Sequence, residues 1–433
     1  MSYLSDARLT AGLRRKAVRV AVTGIVAGSP ICLSSSVAYA SDGASRANAV
    51  VVWDRNAQTA MWDVARQQPP EQSRSAAMVH GAIYDAVNAI AGTPYQPYLT
   101  APRVKGATSM DAAVASAAYR VLRALFPDQR ERLTTQYDEA LAGIPAGGPK
   151  QRGIVVGDQA ASAMIAARKN DGAYGDQTWA VGTEPGQWRP TPPAFASSSA
   201  WIAHLKPFLI PSGSMFRTSG PPALTSKRYA KDINEVKEIG SKTNTVRTED
   251  QTQAAIWWQD RNGGDWEIKR QLATTQRLST LQAARMYAMV NLSKADATIA
   301  CNSEKAAWHF WRPITAIREA GTDGNPDTTP DFGWEPLLDT PPHPDFTSGH
   351  TCSTGASMSS LTHFFGRDDL SFSAFSPDAG ATRYYHSFSQ ALAEVIEARV
   401  WGGIHTRSAD VQGAEIGKQV SAYMGAHYFK PRT

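Results

Sequence analysis

Residues 279–318 read STLQAARMYAMVNLSKADATIACNSEKAAWHFWRPITAIR. Ser279-x-x-Gln282 has the form of a capping box, and the stretch behind it predicts one long helix running towards Arg318. Lys305 and Arg312 stand seven residues apart, about 700° of helical rotation and about 20° short of two full turns. On a continuous helix both cations project from one face. A solvated charged stripe is the plain reading of such a pair. Here the neighbours are Trp308, Phe310, Trp311 and Ile314, and cations embedded among such groups need an anion to offset their desolvation.

Outward from this stretch, helical signals dominate. Ser75 to Ala91 repeats Met78, Ile83, Val87 and Ile90 at helical spacing, and Thr108-x-x-Asp111 precedes an apolar run from Ala113 to Phe126. Arg130 to Ile144, Gly153 to Lys169 and Lys227 to Ile239 predict further helices, and Thr248-x-x-Gln251 opens another. Tyr174 to Thr225 is rich in Pro, Gly and Ser, but its Trp and Phe residues predict an ordered, packed crossover. Strand alternation is almost absent. The expected fold is all-α in two helical-bundle halves, 41–240 and 241–433.

Of 433 residues 42% are apolar and 19% charged, a globular composition. The net charge is +5, but Arg8, Arg14, Arg15, Lys16 and Arg19 against Asp6 put +4 of it in residues 1–40. The remainder is nearly neutral, which removes the electrostatic footprint of a nucleic-acid binder. Those first 40 residues read as an export signal: basic residues, an apolar stretch Val20 to Val37, then Ala38-Tyr39-Ala40. A short amphipathic helix is the alternative. The expected location is periplasmic or extracellular. No later stretch is apolar enough to span a membrane. Cleavage leaves Cys301 and Cys352, either one disulfide or two buried thiols, and no paired Cys spacing suggests a metal site.

Seven of nine histidines come after residue 300. His343-Pro-Asp-Phe-Thr-Ser348-Gly349-His350 breaks the chain at Pro342 and Pro344, then opens a helix ending at Gly366. A helix N-terminus favours an anion, Ser348 adds a hydroxyl, Gly349 allows close backbone approach and His350 adds an acid/base. A capping Ser and a structural His would look the same. Arg399-Val-Trp-Gly402-Gly403-Ile-His405 places two polar residues about 240° apart on a continuous helix, so Gly402-Gly403 must break it if both are to point to one place. A loop Arg and a loop His are the alternative. Together the three segments supply three cations, a hydroxyl, a helix N-terminus and two imidazoles, a set suited to a tetrahedral or trigonal-bipyramidal oxyanion.

Lys305-x6-Arg312-Pro313, then Ser348-Gly349-His350, then Arg399-x5-His405, resembles the signature of the vanadium-dependent haloperoxidase and type 2 phosphatidic acid phosphatase superfamily. Phe310-Trp311-Arg312-Pro313, Thr315 to Arg318, Met78 to Asn88 and Pro222 to Thr225 resemble secreted bacterial haloperoxidase-like proteins, so the likeness covers nearly all of the mature chain. It implies vanadate bonded through His405 and held by Lys305, Arg312, Arg399, Ser348 and the Gly349 N–H. His350 would take a proton as hydrogen peroxide enters, Lys305 would polarise the peroxide, and halide would leave as hypohalous acid. His343 stands where algal bromoperoxidases carry a second His, a pointer to bromide or iodide over chloride. The alternative is an acid phosphatase without a cofactor, with phosphate esters in the same site, His405 as nucleophile and His350 as leaving-group acid. A degenerate anion-binding protein is the non-enzyme reading. Oligomeric state is not indicated.

The chain departs from the pattern at four positions. Thr347 replaces the usual Pro, Ala398 a Ser, and Asn302 the Trp three residues before the Lys. Ala409 replaces the Asp that would orient the last His, with Asp410 one residue later. If the site assembles, the segments bearing Cys301 and Cys352 become neighbours, and a bridge between them would clamp the two.

Overall fold

Helix α9 (Thr280–Trp308) is the axis on which the rest is hung. Its N-terminus is closed by the predicted capping box, with Ser279 accepting from the Gln282 N–H and the Gln282 side chain accepting from the Ser279 N–H. The structure is a computed structural model and describes residues 47–243, 245–259 and 264–432. The expected export signal, residues 1–40, lies outside the described residues.

Helices α1 (Ala49–Gln58), α2 (Pro69–Ile90), α3 (Met110–Leu125), α4 (Arg130–Ala142) and α5 (Gly148–Ala167) come first. Then come the crossover, α6 (Lys227–Ile239), α7 (Glu249–Gln259) and α8 (Gly264–Thr275). Beyond α9 lie α10 (Pro313–Arg318), α11 (Gly349–Phe365), α12 (Phe388–Trp401) and α13 (Arg407–His427). Helix α9 packs on α2 along one side and on α11 along another, and α11 in turn packs on α12 and α13. One apolar cluster draws on both sides of position 240, from Val79 and Leu122 to Leu361 and Val395.

The all-α expectation meets one small exception. Strands β1 (Phe372–Ser376) and β2 (Ala381–Tyr385) form an antiparallel hairpin, Phe372 opposite Tyr385 and Ser376 opposite Ala381. Trp257 on α7 secures it by donating from its indole N–H to the Ala374 carbonyl (3.2 Å). Five-residue strands give too short an alternation to stand out in sequence.

Two buried carboxylates fasten loops to the central helices by one device. Asp85 on α2 accepts the backbone N–H groups of Tyr98, Leu99 and Thr100. Asp296 on α9 accepts those of Phe208, Leu209 and Ile210. The second set pins the crossover, whose Trp179, Trp188 and Trp201 are all buried, in accord with the expected packed segment. On the other flank, Gly413 and Gly417 of α13 face the carbonyls of Ser348 and Cys352 so closely that a Cβ at either would collide with backbone. This brings α13 hard against the start of α11, where the chemistry lies.

Candidate functional site

Lys305 and Arg312 reach one place, but not from one helix. Helix α9 stops at Trp308, and His309 turns left-handed (φ 45°) with its N–H returning to the Lys305 carbonyl. Arg312 is extended and begins α10 (φ −84°, ψ 156°). The continuous helix predicted from the seven-residue spacing is therefore broken. Pro313 is the reason: it has no N–H to continue a helix and it disfavours helical geometry at the residue before it. The crossover stitches the break, since the Trp188 N–H donates to the His309 carbonyl (2.6 Å) and the Trp311 N–H to that of Gly186 (2.9 Å).

Both cations close on the loop before α11. Lys305 Nζ donates to the carbonyls of Pro344 (2.5 Å) and Asp345 (2.9 Å). Arg312 donates from Nε to the His343 carbonyl and from Nη1 to that of Ile404, each at 2.7 Å. Ser348 then begins α11, its N–H bound to the Ala409 carbonyl (3.0 Å). Its hydroxyl is buried without a hydrogen-bond partner. A Cβ built on Gly349 meets nothing within 4 Å, so the first turn of α11 fronts open space. Cys301 and Cys352 form a disulfide below this turn, Cα atoms 6.6 Å apart, joining α9 to α11.

The third segment breaks where expected. Helix α12 ends at Trp401 and Gly403 takes a positive φ (74°), which carries the chain round to His405. Arg399, fully buried in the last turn of α12, donates from Nη2 to Gln259 Oε1 (2.9 Å). Its Nε and Nη1 are buried and unpartnered. His405 Nδ1 lies 2.6 Å from Asp345 Oδ1. Arg312 Nη1 lies 3.3 Å from the Nε2 edge of the same ring.

His343 is half-buried beside Arg312, whose Nη2 meets its Nδ1 at 2.9 Å. The same Nδ1 lies 3.2 Å from the Pro344 carbonyl, so it faces a donor and an acceptor at once. His350, the second residue of α11, is half-buried and sits in the field of Arg399, Lys294, Arg312 and Lys305.

The electrostatics describe a cationic pocket short of an anion. Burial pushes the guanidiniums of Arg312 and Arg399 down to about 10, still charged at neutral pH. Burial, then Arg312, push the Lys305 ammonium well below its ordinary value. Burial is also the first cause that holds His343, His350 and His405 well below the usual histidine range, with these cations adding to it. Two carboxylates face the three cations. Asp345 lies 3.8 Å from Arg312 and is pushed up to about 6 by burial. Asp410 is raised well above the carboxylate range by burial, and both its oxygens lack a hydrogen-bond partner. The Ser348 hydroxyl lies near enough to favour its charge but completes no hydrogen bond.

Among the described residues no group of three or more His, Cys, Asp or Glu is placed to hold a bare metal ion. The hydrogen-bond donors on offer are the Ser348 hydroxyl, Arg399 Nε and Nη1 and the open turn at Gly349, beside the Nε2 edge of His405. They fit a tetrahedral oxyanion of vanadate or phosphate shape.

Lys305, Arg312, His405 and His343 are linked to one another or to the 343–349 loop, which carries Ser348, by these contacts, and Arg399 and His350 share their field. Two participants carried no role in the sequence reading. Asp345 stands inside His343-Pro-Asp-Phe, and its meeting with His405 spans 60 residues. Gln259 lies on α7, far from every motif.

Residues 285–431 match the family model for the second helical-bundle domain of vanadium chloroperoxidase, VCPO. That match takes in about a third of the chain, and over it the chain is similar to the vanadium haloperoxidases. The chain is 29% identical over 118 residues to vanadium chloroperoxidase of Curvularia inaequalis, covering 23% of this chain and 19% of that relative's length. It is similar in fold to the first bacterial vanadium-dependent iodoperoxidase (TM-score 0.76, 24% identity, 89% of this chain and 98% of that one). It is similar also to a holo-type bacterial vanadium-dependent chloroperoxidase (TM-score 0.69, 18% identity, 86% of this chain and 95% of that one).

Proposed function

We propose that this chain is a vanadate-dependent haloperoxidase: halide, hydrogen peroxide and a proton give hypohalous acid and water. The observation that carries the reading is the buried cation set around unpartnered donors, beside a histidine whose Nδ1 is already engaged. Likeness in fold to an iodoperoxidase and a chloroperoxidase supports halide oxidation. Vanadate, when bound, supplies a Lewis-acidic centre that activates peroxide without changing oxidation state.

Within this reading Lys305, Arg312 and Arg399 neutralise the oxyanion's charge. Ser348 and the Gly349 N–H donate to its oxygens, and His405 Nε2 bonds its central atom. Lys305 also polarises peroxide. His350, half-buried and held neutral by desolvation and the neighbouring cations, is ready to take the proton that peroxide gives up. His343 stands beside Arg312, and we infer bromide or iodide over chloride from an imidazole at that place. The Cys301–Cys352 disulfide supports an exported protein in an oxidising compartment.

One observation also favours a second reading. A histidine paired with a carboxylate is equipped to attack a phosphate ester, with His350 as leaving-group acid. The test is to add orthovanadate to the purified protein and assay peroxide-dependent iodide and bromide oxidation beside hydrolysis of an aryl phosphate. Halide oxidation that appears only with vanadate, and is suppressed by phosphate, is the expected result. Phosphatase turnover with no halide oxidation would overturn the proposal in favour of the second reading.

A further inference from the structure

The residue that orients the last histidine is missing from its usual place. Ala409 stands four residues after His405, and neither carboxylate oxygen of the nearby Asp410 makes a hydrogen bond. We propose that Asp345, from the loop before α11, is the positioning residue of His405: it fixes the tautomer in which Nδ1 carries the proton and Nε2 presents a lone pair to the oxyanion. This deepens the oxyanion reading and rests on it.

The geometry supports the assignment from both partners. Asp345 Oδ1 and His405 Nδ1 lie 2.6 Å apart, and both residues are at most 1% exposed. An ionised carboxylate only accepts, so the shared proton belongs to Nδ1. The only other polar contact to His405 among the described residues is Arg312 Nη1, which already donates to the Ile404 carbonyl. A guanidinium only donates, so its 3.3 Å approach to Nε2 agrees with a lone pair there.

Asp345 itself cannot swing. Its Oδ2 accepts from the Thr406 hydroxyl (2.9 Å), and Thr406 is the chain neighbour of His405. Its N–H donates to the Phe310 carbonyl (2.9 Å), and its own carbonyl receives Lys305 Nζ (2.9 Å). One aspartate thus ties all three motif segments to a single imidazole orientation. Carboxylate–histidine pairs of this kind fix both ring direction and basicity, and losing the outer partner costs about 10–100-fold in affinity for a group bonded to the imidazole.

The test separates this role from simple electrostatics. Asp345→Asn and Asp345→Ala each remove a negative charge from a pocket that binds anions, so charge alone would tighten every oxyanion. Orthovanadate, on this reading, needs the Nε2 lone pair, whereas inorganic phosphate needs only donors and charge. The expected result is opposed: vanadate affinity, read by vanadium NMR titration without turnover, falls about 10–100-fold. Phosphate affinity stays or rises. Parallel changes in both ligands would overturn the inference. A variant that fails to fold leaves the wild-type protein to decide: nitrogen NMR of its ligand-free form must show His405 protonated on Nδ1, and a proton on Nε2 overturns it equally. Wild-type protein that binds no vanadate would sink the oxyanion reading. Wild-type binding with Asp345→Asn unaffected would sink this inference alone.

Discussion

Cys301 and Cys352 join α9 to α11 with Cα atoms 6.6 Å apart, four residues before Lys305 and four after Ser348. The bridge closes a loop with a sequence separation of 51 and ties the ammonium to the open helix turn. Its chain-entropy value is about 4 kcal/mol. Replacing both cysteines by serine lowers the unfolding free energy by up to that amount, measured in denaturant with and without reductant. Vanadate affinity falls as well, because the two donors are no longer held together. Unchanged affinity in the double variant would show that packing alone sets their separation.

Ser348 and Gly349 should separate binding from stability. The Ser348 hydroxyl is buried without a partner, so Ser348→Ala loses no hydrogen bond in the ligand-free protein and removes a desolvated polar group. Thermal stability stays the same or rises, by up to about 1 kcal/mol, while oxyanion affinity drops roughly tenfold. Gly349→Ala meets no protein atom within 4 Å and should fold normally. Its methyl group stands in the space where the anion's oxygens would approach, so its affinity falls too. Melting curves beside vanadate and phosphate titrations check both variants. A large loss of stability in either contradicts the account.

His350→Ala and His405→Ala should fail differently. His405 is assigned the bond to the central atom, so its loss weakens vanadate retention together with turnover. His350 is assigned proton management. Its loss lowers iodide oxidation by about 10²–10⁴-fold while leaving more of the anion affinity, since Lys305, Arg312 and Arg399 remain. Equal losses of vanadate affinity would refute the division of labour, and full activity in His405→Ala would refute the site.

Acid should destabilise the ligand-free protein, and an anion should relieve this. His343, His350 and His405 have folded-state pKa values depressed below the unfolded histidine value. The unfolded chain therefore takes up protons first, and stability that is complete above about pH 6.5 is lost as pH falls below it. Asp85, Asp296 and Asp345, raised to about 6, act in the opposite sense but take up most of their protons only below that value. Asp410, raised further, adds to the carboxylate side, but His80 and Lys305, both held low by burial, add to the histidine side, so destabilisation dominates from about pH 7 down to about pH 6. Saturating phosphate offsets the cations, raises the histidine pKa values and flattens the slope. A melting temperature that climbs as the pH is lowered across that range, or a slope indifferent to phosphate, would contradict this.

Much of this molecule is readable along the chain. Helices α6 and α11, the capping box at Ser279 and the break at Gly402-Gly403 come from local rules, because capping, periodicity and glycine torsions act within a turn or two of the backbone. The Lys305/Arg312 pair shows where such rules stop. Spacing placed both on one helical face, but Pro313 ends the helix, and the crossover at Gly186 to Trp188 holds the extended link into α10. Their shared location is decided by hydrogen bonds from residues over a hundred positions away. The contents of the site were legible as residue types: three cations, a hydroxyl, a helix start and imidazoles. Its wiring was not. Gln259 on Arg399 and Asp345 on His405 are contacts between segments 140 and 60 residues apart. Local periodicity carries no trace of such contacts, because they arise only when burial brings α7, α12 and the loop before α11 to one point. Residue order alone settled which chemistry the chain could hold. Long-range packing settled which carboxylate orients which histidine, since a hydrogen bond depends on distances that the placement of distant helices sets.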